Sequence, residues 1–251
     1  MNSDNSARHE EKLVEGPISK HLNRKISRPI ARSIKEVSWC TPNRVSVFAL
    51  LIACLAAAFY SFGNLLVPGE YRILDAVVII PSMAIGGILV ELSSIIDGVD
   101  GDLARERGIS SSSGAVFDAI LDRYADIVIL TGITYPLLVE EHDIRLFPAS
   151  SVGLTFNPNI VFLIFVVAVA GSLMVSYSRA RLEAAGLFNA EGRTFFGATR
   201  DVRLFIVFVC SLMGYPLLAL LLVAFSGNLT VLLRLLSAVQ SGELKRAAQH
   251  E

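Results

Sequence analysis

From about residue 43 to 239 the chain repeats one pattern, apolar runs near 20 residues long separated by short polar stretches. That is the length a helix needs to cross the hydrocarbon core of a bilayer. Six such segments fall at about 43–62, 74–96, 115–138, 158–178, 200–214 and 215–239. The first opens on Thr41-Pro42, a cap residue followed by proline at the first helical position. The fifth is short, and Gly214-Tyr215-Pro216 predicts a turn into the sixth; the competing arrangement is one helix over about 202–225 with the tail on the surface. Upstream, residues 17–36 (PISKHLNRKISRPIARSIKE) place Ile18, Leu22, Ile26, Ile30 and Ile34 at a spacing of four, with Lys and Arg between them. This predicts an amphipathic helix lying in the headgroup plane, attracted to anionic lipid and kinked at Pro29. The expected fold class is an all-α integral membrane protein with six transmembrane helices plus an N-terminal amphipathic interfacial helix. Its expected divisions are a polar tail over 1–16, the juxtamembrane helix over 17–36, a six-helix domain over 41–240 and a cytoplasmic tail over 241–251.

Composition agrees with a single membrane domain. Of 251 residues 53% are hydrophobic and 18% charged, and the mean hydropathy of +0.57 is too high for an ordinary soluble domain. The net charge of −1 hides an uneven distribution, because 9 of the 22 Lys and Arg precede residue 45. The polar opening MNSDNSARHEEKLVE has no apolar core and does not read as a signal peptide. Three scattered cysteines lack metal-ligand spacing, and His9, His21, His142 and His250 all lie outside the apolar segments, which argues against a histidine-based triad or metal site in the membrane. Arg105 and Arg107 follow the second segment; Arg179, Arg181, Arg193, Arg200 and Arg203 lie between the fourth and fifth; Lys245 and Arg246 close the chain. The excess of basic residues on those sides predicts a multi-pass cell-membrane protein with both termini and the acidic stretch facing the cytoplasm.

That acidic stretch, DGVDGDLARERGISSSSGAVFDAILD over 97–122, sits between two apolar segments, where carboxylates are expensive. Residues three and four apart share a helix face. Asp97, Asp100, Gly101, Ala104 and Arg105 therefore form one stripe at the end of the second helix, and Gly114, Asp118, Asp122 and Asp126 another at the start of the third. The polar turn over 108–113 joins them as a hairpin. Four converging carboxylates repel one another, and a divalent cation relieves both the repulsion and the burial, since hard oxygens suit Mg2+ or Mn2+. Four are enough for two ions, an arrangement that clamps phosphate oxygens. Gly101, Ala104 and Gly114 leave room for a ligand, and Arg105 supplies a cation for a phosphate. Interhelical salt bridges alone are a poor account, because Arg105 and Arg123 are the nearby cations facing four or five acids. Asp126 is expected to pair structurally with Arg123 or Arg105.

The pattern Asp97-x2-Asp100-Gly101-x2-Ala104-Arg105-x8-Gly114-x3-Asp118-x3-Asp122 resembles the signature of the CDP-alcohol phosphatidyltransferases at every fixed position. The resemblance implies six membrane helices and two divalent ions, Mg2+ or Mn2+, on Asp97, Asp100, Asp118 and Asp122, with Asp122 also the catalytic base. It implies that Gly101, Arg105 and a hydroxyl such as Ser111 contact the CDP moiety beside Ala104 and Gly114, and that Asn43 of Thr41-Pro42-Asn43 lies near the nucleotide. The implied reaction is attack of an alcohol hydroxyl on the β-phosphorus of a CDP-alcohol, releasing CMP and forming a phosphodiester. Ser176-Tyr177-Ser178-Arg179-Ala180-Arg181 resembles a family segment lining the acceptor pocket, and Arg200 opens the next helix on the same side. Arg179, Arg181 and Arg200 are thus candidates for an acceptor phosphate, with positive-inside anchoring as the plainer account.

Within the family, GGILVELSSIIDGVDGDLAR and SKHLNRKISRPIAR look most like the di-myo-inositol-phosphate-phosphate synthase group. Members of that group often carry a fused cytidylyltransferase domain; none is expected within these 251 residues, so the CDP-alcohol would come from elsewhere or the chain is an excised or stand-alone version, and a CDP-diacylglycerol or CDP-archaeol donor stands beside CDP-inositol. Expected partners are the donor, an alcohol or phospho-alcohol acceptor, membrane lipid and a second copy of the chain in a homodimer, with no nucleic acid. Two other classes use acids in membranes. An intramembrane prenyltransferase needs a second Asp-rich motif, and no Asp cluster follows Asp126; a cation transporter needs acids deep in several helices and repeat symmetry, whereas here they cluster at one end of two adjacent helices.

Overall fold

The computed structural model describes residues 16–73, 77–139, 144–148, 153–187 and 199–247. The polar tail before Gly16, the basic residue Arg193 and the last four residues lie outside the described residues. A π-helical turn, Ser19–Asn23, leads into α1 (Arg24–Ile34), which runs unbroken through Pro29. Six longer helices follow: α2 (Pro42–Phe62), α3 (Pro81–Glu106), α4 (Ser112–Val139), α5 (Pro158–Ala184), α6 (Arg200–Leu212) and α7 (Pro216–Ala247). Proline opens α2, α3, α5 and α7, where its missing N–H and fixed φ cost nothing. Before α5, Asn157 completes the start by accepting the Ile160 N–H at 3.0 Å.

Two short antiparallel hairpins depart from the all-helical expectation. Tyr71–Ile73 (β1) pairs with Val77–Ile79 (β2), and Ile144–Arg145 (β3) with Thr155–Phe156 (β4). The second segment therefore begins as a helix at Pro81, not near 74. The β-branched run Val77-Val78-Ile79-Ile80 favours strand, and Pro81 starts the helix cleanly. At its other end α3 continues past 96 to Glu106, so the acidic stretch is helical on both sides of the turn over 107–111.

Among the described residues four helical stretches are long and apolar enough to cross a membrane, Pro42–Leu65, Pro81–Glu106, Pro158–Ala184 and Pro216–Gln240. That is two fewer than the six expected. In α4 the apolar run is interrupted by Asp118, Asp122, Arg123 and Asp126, and α6 has only 13 residues, about 20 Å against a core of about 30 Å. The single helix over 202–225 is also excluded: α6 ends in a turn at Gly214, whose φ of +73° is left-handed. There Tyr215 N–H reaches the Cys210 carbonyl at 2.8 Å, closing the helix end.

The helices form a ring. α2 packs on α3 and α4, α3 on α6, α6 on α7, α7 on α5, and α5 back on α4. The two acid-bearing helices are thus neighbours in sequence but are held apart by α2, which leaves space between their ends. Close approach inside the ring relies on small residues: a Cβ on Gly132 would stand 2.5 Å from the Ala57 backbone. Ile129, Ile133, Leu217 and Leu220 fill the centre. α1 lies across α3, but its buried face is Asn23, Ser27 and Ala31, while Leu22 and Ile26 of the apolar stripe stay exposed. Small side chains dock the helix on the protein, and the predicted stripe divides: Leu22 and Ile26 face outward, while Ile30 and Ile34 are half-buried against Val99 and Leu103.

Candidate active site

The hairpin between α3 and α4 is fixed by its own backbone. Gly108 at φ +65° lets Ile109 N–H bond the Ala104 carbonyl (3.0 Å) and Gly108 N–H bond that of Arg105 (3.1 Å), which ends α3. Ser111 Oγ then accepts the Gly114 N–H at 3.1 Å and caps α4. With both ends set, one carboxylate oxygen each from Asp97, Asp100 and Asp118 comes within 4.8 Å of the other two. One Asp118 oxygen is buried with no hydrogen-bond partner, and Asp100, 7% exposed, accepts the Ser46 hydroxyl. Such a set of hard oxygens fits a divalent cation, which would supply the missing partner.

Asp122 stands apart from that trio. One of its oxygens lies 2.7 Å from Arg200 Nη1 and the other 3.3 Å from Arg123 Nη2. Arg200 also holds Asp97 at 2.7 Å and Asp126 at 3.1 Å, and Asp126 is buried against Arg203 at 2.9 Å. Two expectations are corrected here. Asp126 pairs with Arg203 and Arg200, whereas the two expected partners pair elsewhere, Arg123 with Asp122 and Arg105 with Asp102, and the cations facing the acids include two from α6 that local sequence counting leaves out.

Two clefts flank the carboxylates. The first, about 550 Å3, is lined by Asn43, Gly101, Ala104, Arg105, Ser111 and Gly114 together with Ser46, Asp100 and Asp118. All six residues expected around the nucleotide therefore meet in one space, formed by the start of α2, the end of α3 and the start of α4. A Cβ on Gly114 would stand 3.0 Å from Ser111 Oγ and 3.7 Å from Asn43 Oδ1, so a larger residue would push into the cleft. The second cleft, about 290 Å3, lies on the other side and is lined by Asp97, Asp122, Arg123, Ser176, Arg179, Arg200, Arg203 and Arg234, among others. Arg179 and Arg200 reach it, and Arg179 is also paired with Glu183 at 2.7 Å. Arg181 does not line it: two positions along α5 from Arg179, it is exposed on another face.

Ser46 and Arg234 are site residues that sequence reading missed. Ser46 lies three residues after Asn43, on the same face of α2, which was a usable signal. Arg234 enters from α7, near the Val175 carbonyl and Ser178, and nothing local to it points there.

Similar proteins place this geometry. The model of the CDP-alcohol phosphatidyltransferase family matches residues 39–240. A bifunctional IPC transferase and DIPP synthase of Rubrobacter xylanophilus is 39% identical over 223 residues, 89% of this chain but 42% of the relative. The chain thus spans less than half the length of that relative. An archaetidylinositol phosphate synthase of Pyrococcus horikoshii is 29% identical over 223 residues, 88% of this chain and 96% of that protein. In fold the chain is similar to the phosphatidylinositol phosphate synthase of Mycobacterium tuberculosis with CDP-DAG bound, with a TM-score of 0.62 and 24% identity over 85% of this chain and 94% of that one. The same enzyme in complex with manganese and citrate gives a TM-score of 0.61 at 22% identity, covering 85% of this chain and 88% of that one. With its eight-residue signature gathered around one set of carboxylates and the family model covering four-fifths of its length, this membrane protein belongs to the CDP-alcohol phosphatidyltransferase family.

Proposed function

We propose that the chain transfers a substituted phosphate from a CDP-alcohol to the hydroxyl of a second alcohol, with release of CMP. The observation that carries this is the position of Asp97, Asp100 and Asp118 between two polar clefts, with one Asp118 oxygen unpartnered. The first cleft takes the donor: Arg105, Ser111 and the N–H groups opening α4 face the phosphates, and Asn43 lies beside the nucleotide. Mg2+ or Mn2+ on Asp97, Asp100 and Asp118, with a second ion drawing in Asp122, would neutralise the pyrophosphate and the departing CMP. The acceptor enters from the second cleft, its phosphate held by Arg179 and Arg200. Asp122 takes the proton of the attacking hydroxyl as that oxygen bonds to the β-phosphorus and the bond to the CMP oxygen breaks.

The relatives named for inositol-containing products favour an inositol phosphate acceptor, and the CDP-DAG-bound relative favours a lipid donor such as CDP-diacylglycerol or CDP-archaeol. CDP-inositol remains the donor if the chain works as its bifunctional relatives are named. In the membrane all six helices α2–α7 cross, the short α6 packed between α3 and α7. The termini and both clefts face the cytoplasm, α1 lies at the interface, and two copies form a homodimer. The test incubates purified protein and Mg2+ with a panel of CDP-alcohols and alcohol or phospho-alcohol acceptors and measures CMP. Acceptor-dependent CMP release from at least one pair is expected, and its absence across the panel overturns the reading.

A further inference from the structure

Asp102 follows the Asp100-Gly101 pair of the signature, and no step above uses it. It is 5% exposed, and its carboxylate is fully engaged. One oxygen accepts from Arg24 Nη1 at 2.6 Å and from Arg105 Nη2 at 2.8 Å, and the other accepts the Ser27 hydroxyl at 2.6 Å. Arg105 is the arginine of the nucleotide cleft, whereas Arg24 and Ser27 belong to α1. The guanidinium of Arg105 also lies over Gly101, where a Cβ would stand 3.4 and 3.5 Å from its terminal nitrogens. Asp102 and the bare face of Gly101 thus fix Arg105 from two sides.

The seat of α1 on α3 is firm. Arg107 donates to the carbonyls of Ile34, Lys35, Val37 and Cys40 at 2.7–3.0 Å. Ala31 packs with Val99 and Leu103. A helix whose outward face is basic and apolar is thereby joined through one buried carboxylate to a residue of the nucleotide cleft.

We propose that Asp102 is a positioning residue, and that α1, through Arg24 and Ser27, sets the aim of Arg105 at the phosphates of the donor. Two guanidinium groups and one carboxylate leave a net positive charge in the triad, so Arg105 keeps attraction for a phosphate while its direction is fixed. The juxtamembrane helix then belongs to the donor site as well as to the membrane surface. This rests on the reading of the first cleft as the donor cleft.

The test measures CDP binding with Mg2+ by isothermal titration calorimetry on the full chain in detergent, since CDP carries the part common to every CDP-alcohol. Ser27→Ala changes no charge and should weaken CDP about fivefold, the size of one net hydrogen bond. Arg24→Gln should weaken it about tenfold, with Arg24→Lys recovering most of the loss. On an Arg105→Ala background, Ser27→Ala should change CDP affinity by less than about twofold, because its effect passes through Arg105. Equal weakening in both backgrounds, or none in either, overturns the relay, with thermal midpoints checking that each variant is folded. If Arg105→Ala alone leaves CDP affinity unchanged, it is the donor-cleft assignment that fails.

Discussion

Asp118 and Asp122 lie one helical turn apart, yet the structure gives them different surroundings. Asp118 contributes to the three-carboxylate group and keeps an unpartnered buried oxygen, while Asp122 faces Arg200 and Arg123 beside the second cleft. The two should separate under mutation. Asp118→Asn is expected to weaken Mn2+ binding, followed by electron paramagnetic resonance titration, and to lower activity at limiting metal. Asp122→Asn is expected to keep most of its metal affinity while turnover at saturating substrates falls by about 10²–10⁴-fold, the range for losing acid–base catalysis. Near-normal turnover in Asp122→Asn would remove it from the base role. Withdrawing divalent ions with EDTA should abolish CMP release and adding Mg2+ or Mn2+ restore it; full activity in metal-free protein would sink the cation site. At this scale the sequence was most informative, because helical spacing alone places Asp97 with Asp100 and Asp118 with Asp122. What spacing could not tell is which acid a distant arginine would occupy.

Among the elements, the hairpin between α3 and α4 and the bend from α1 into α2 are tied together by one side chain. The four carbonyls that accept from Arg107 include those of Ile34 and Lys35 at the end of α1, and two of the four, Ile34 and Val37, also accept the backbone N–H groups of Val37 and Cys40 at 3.0 Å. Arg107→Ala removes the side-chain donor from all four and leaves those of Lys35 and Cys40 to find another. A loss of about 1–3 kcal/mol is expected, read as a lower thermal midpoint in detergent, together with faster proteolysis near residues 34–40. An unchanged midpoint would mean the carbonyls are satisfied without it. In the sequence Arg107 counts only as a positive-inside charge. Its structural use was hidden because its partners are backbone atoms, which carry no sequence signal. The start of α3 was misplaced for a related reason: Val77-Val78-Ile79-Ile80 is as apolar as a membrane helix, and hydrophobicity by itself does not distinguish strand from helix. The proline at 81 was the available clue.

Across the whole molecule, the ring is closed on the acid side by α6, the short fifth segment of 13 residues. Its first turn sends Arg200 to acids on both α3 and α4 and Arg203 to Asp126. These contacts join residues 77 to 103 positions apart, so no local window reveals them, and counting only neighbouring cations understates the charge balance. The two arginines should fail in different ways. Arg203 and Asp126 are 2% and 4% exposed, and removing Arg203 leaves the buried Asp126 to Arg200, whose charge is already shared with Asp97 and Asp122. Arg203→Ala is therefore expected to cost about 3–5 kcal/mol, seen as a large fall in thermal midpoint and in yield of folded protein. Arg200 borders the second cleft and shares its charge among three carboxylates, with Arg203 still able to hold Asp126 when it is gone. Arg200→Ala should retain more stability than Arg203→Ala while raising the acceptor KM at least about tenfold and the donor KM little, as expected when one charged contact to a phosphate is lost. Steady-state CMP release with each substrate varied in turn separates the two constants. An unchanged acceptor KM in folded Arg200→Ala would make this arginine a structural tie between helices and move the acceptor phosphate elsewhere.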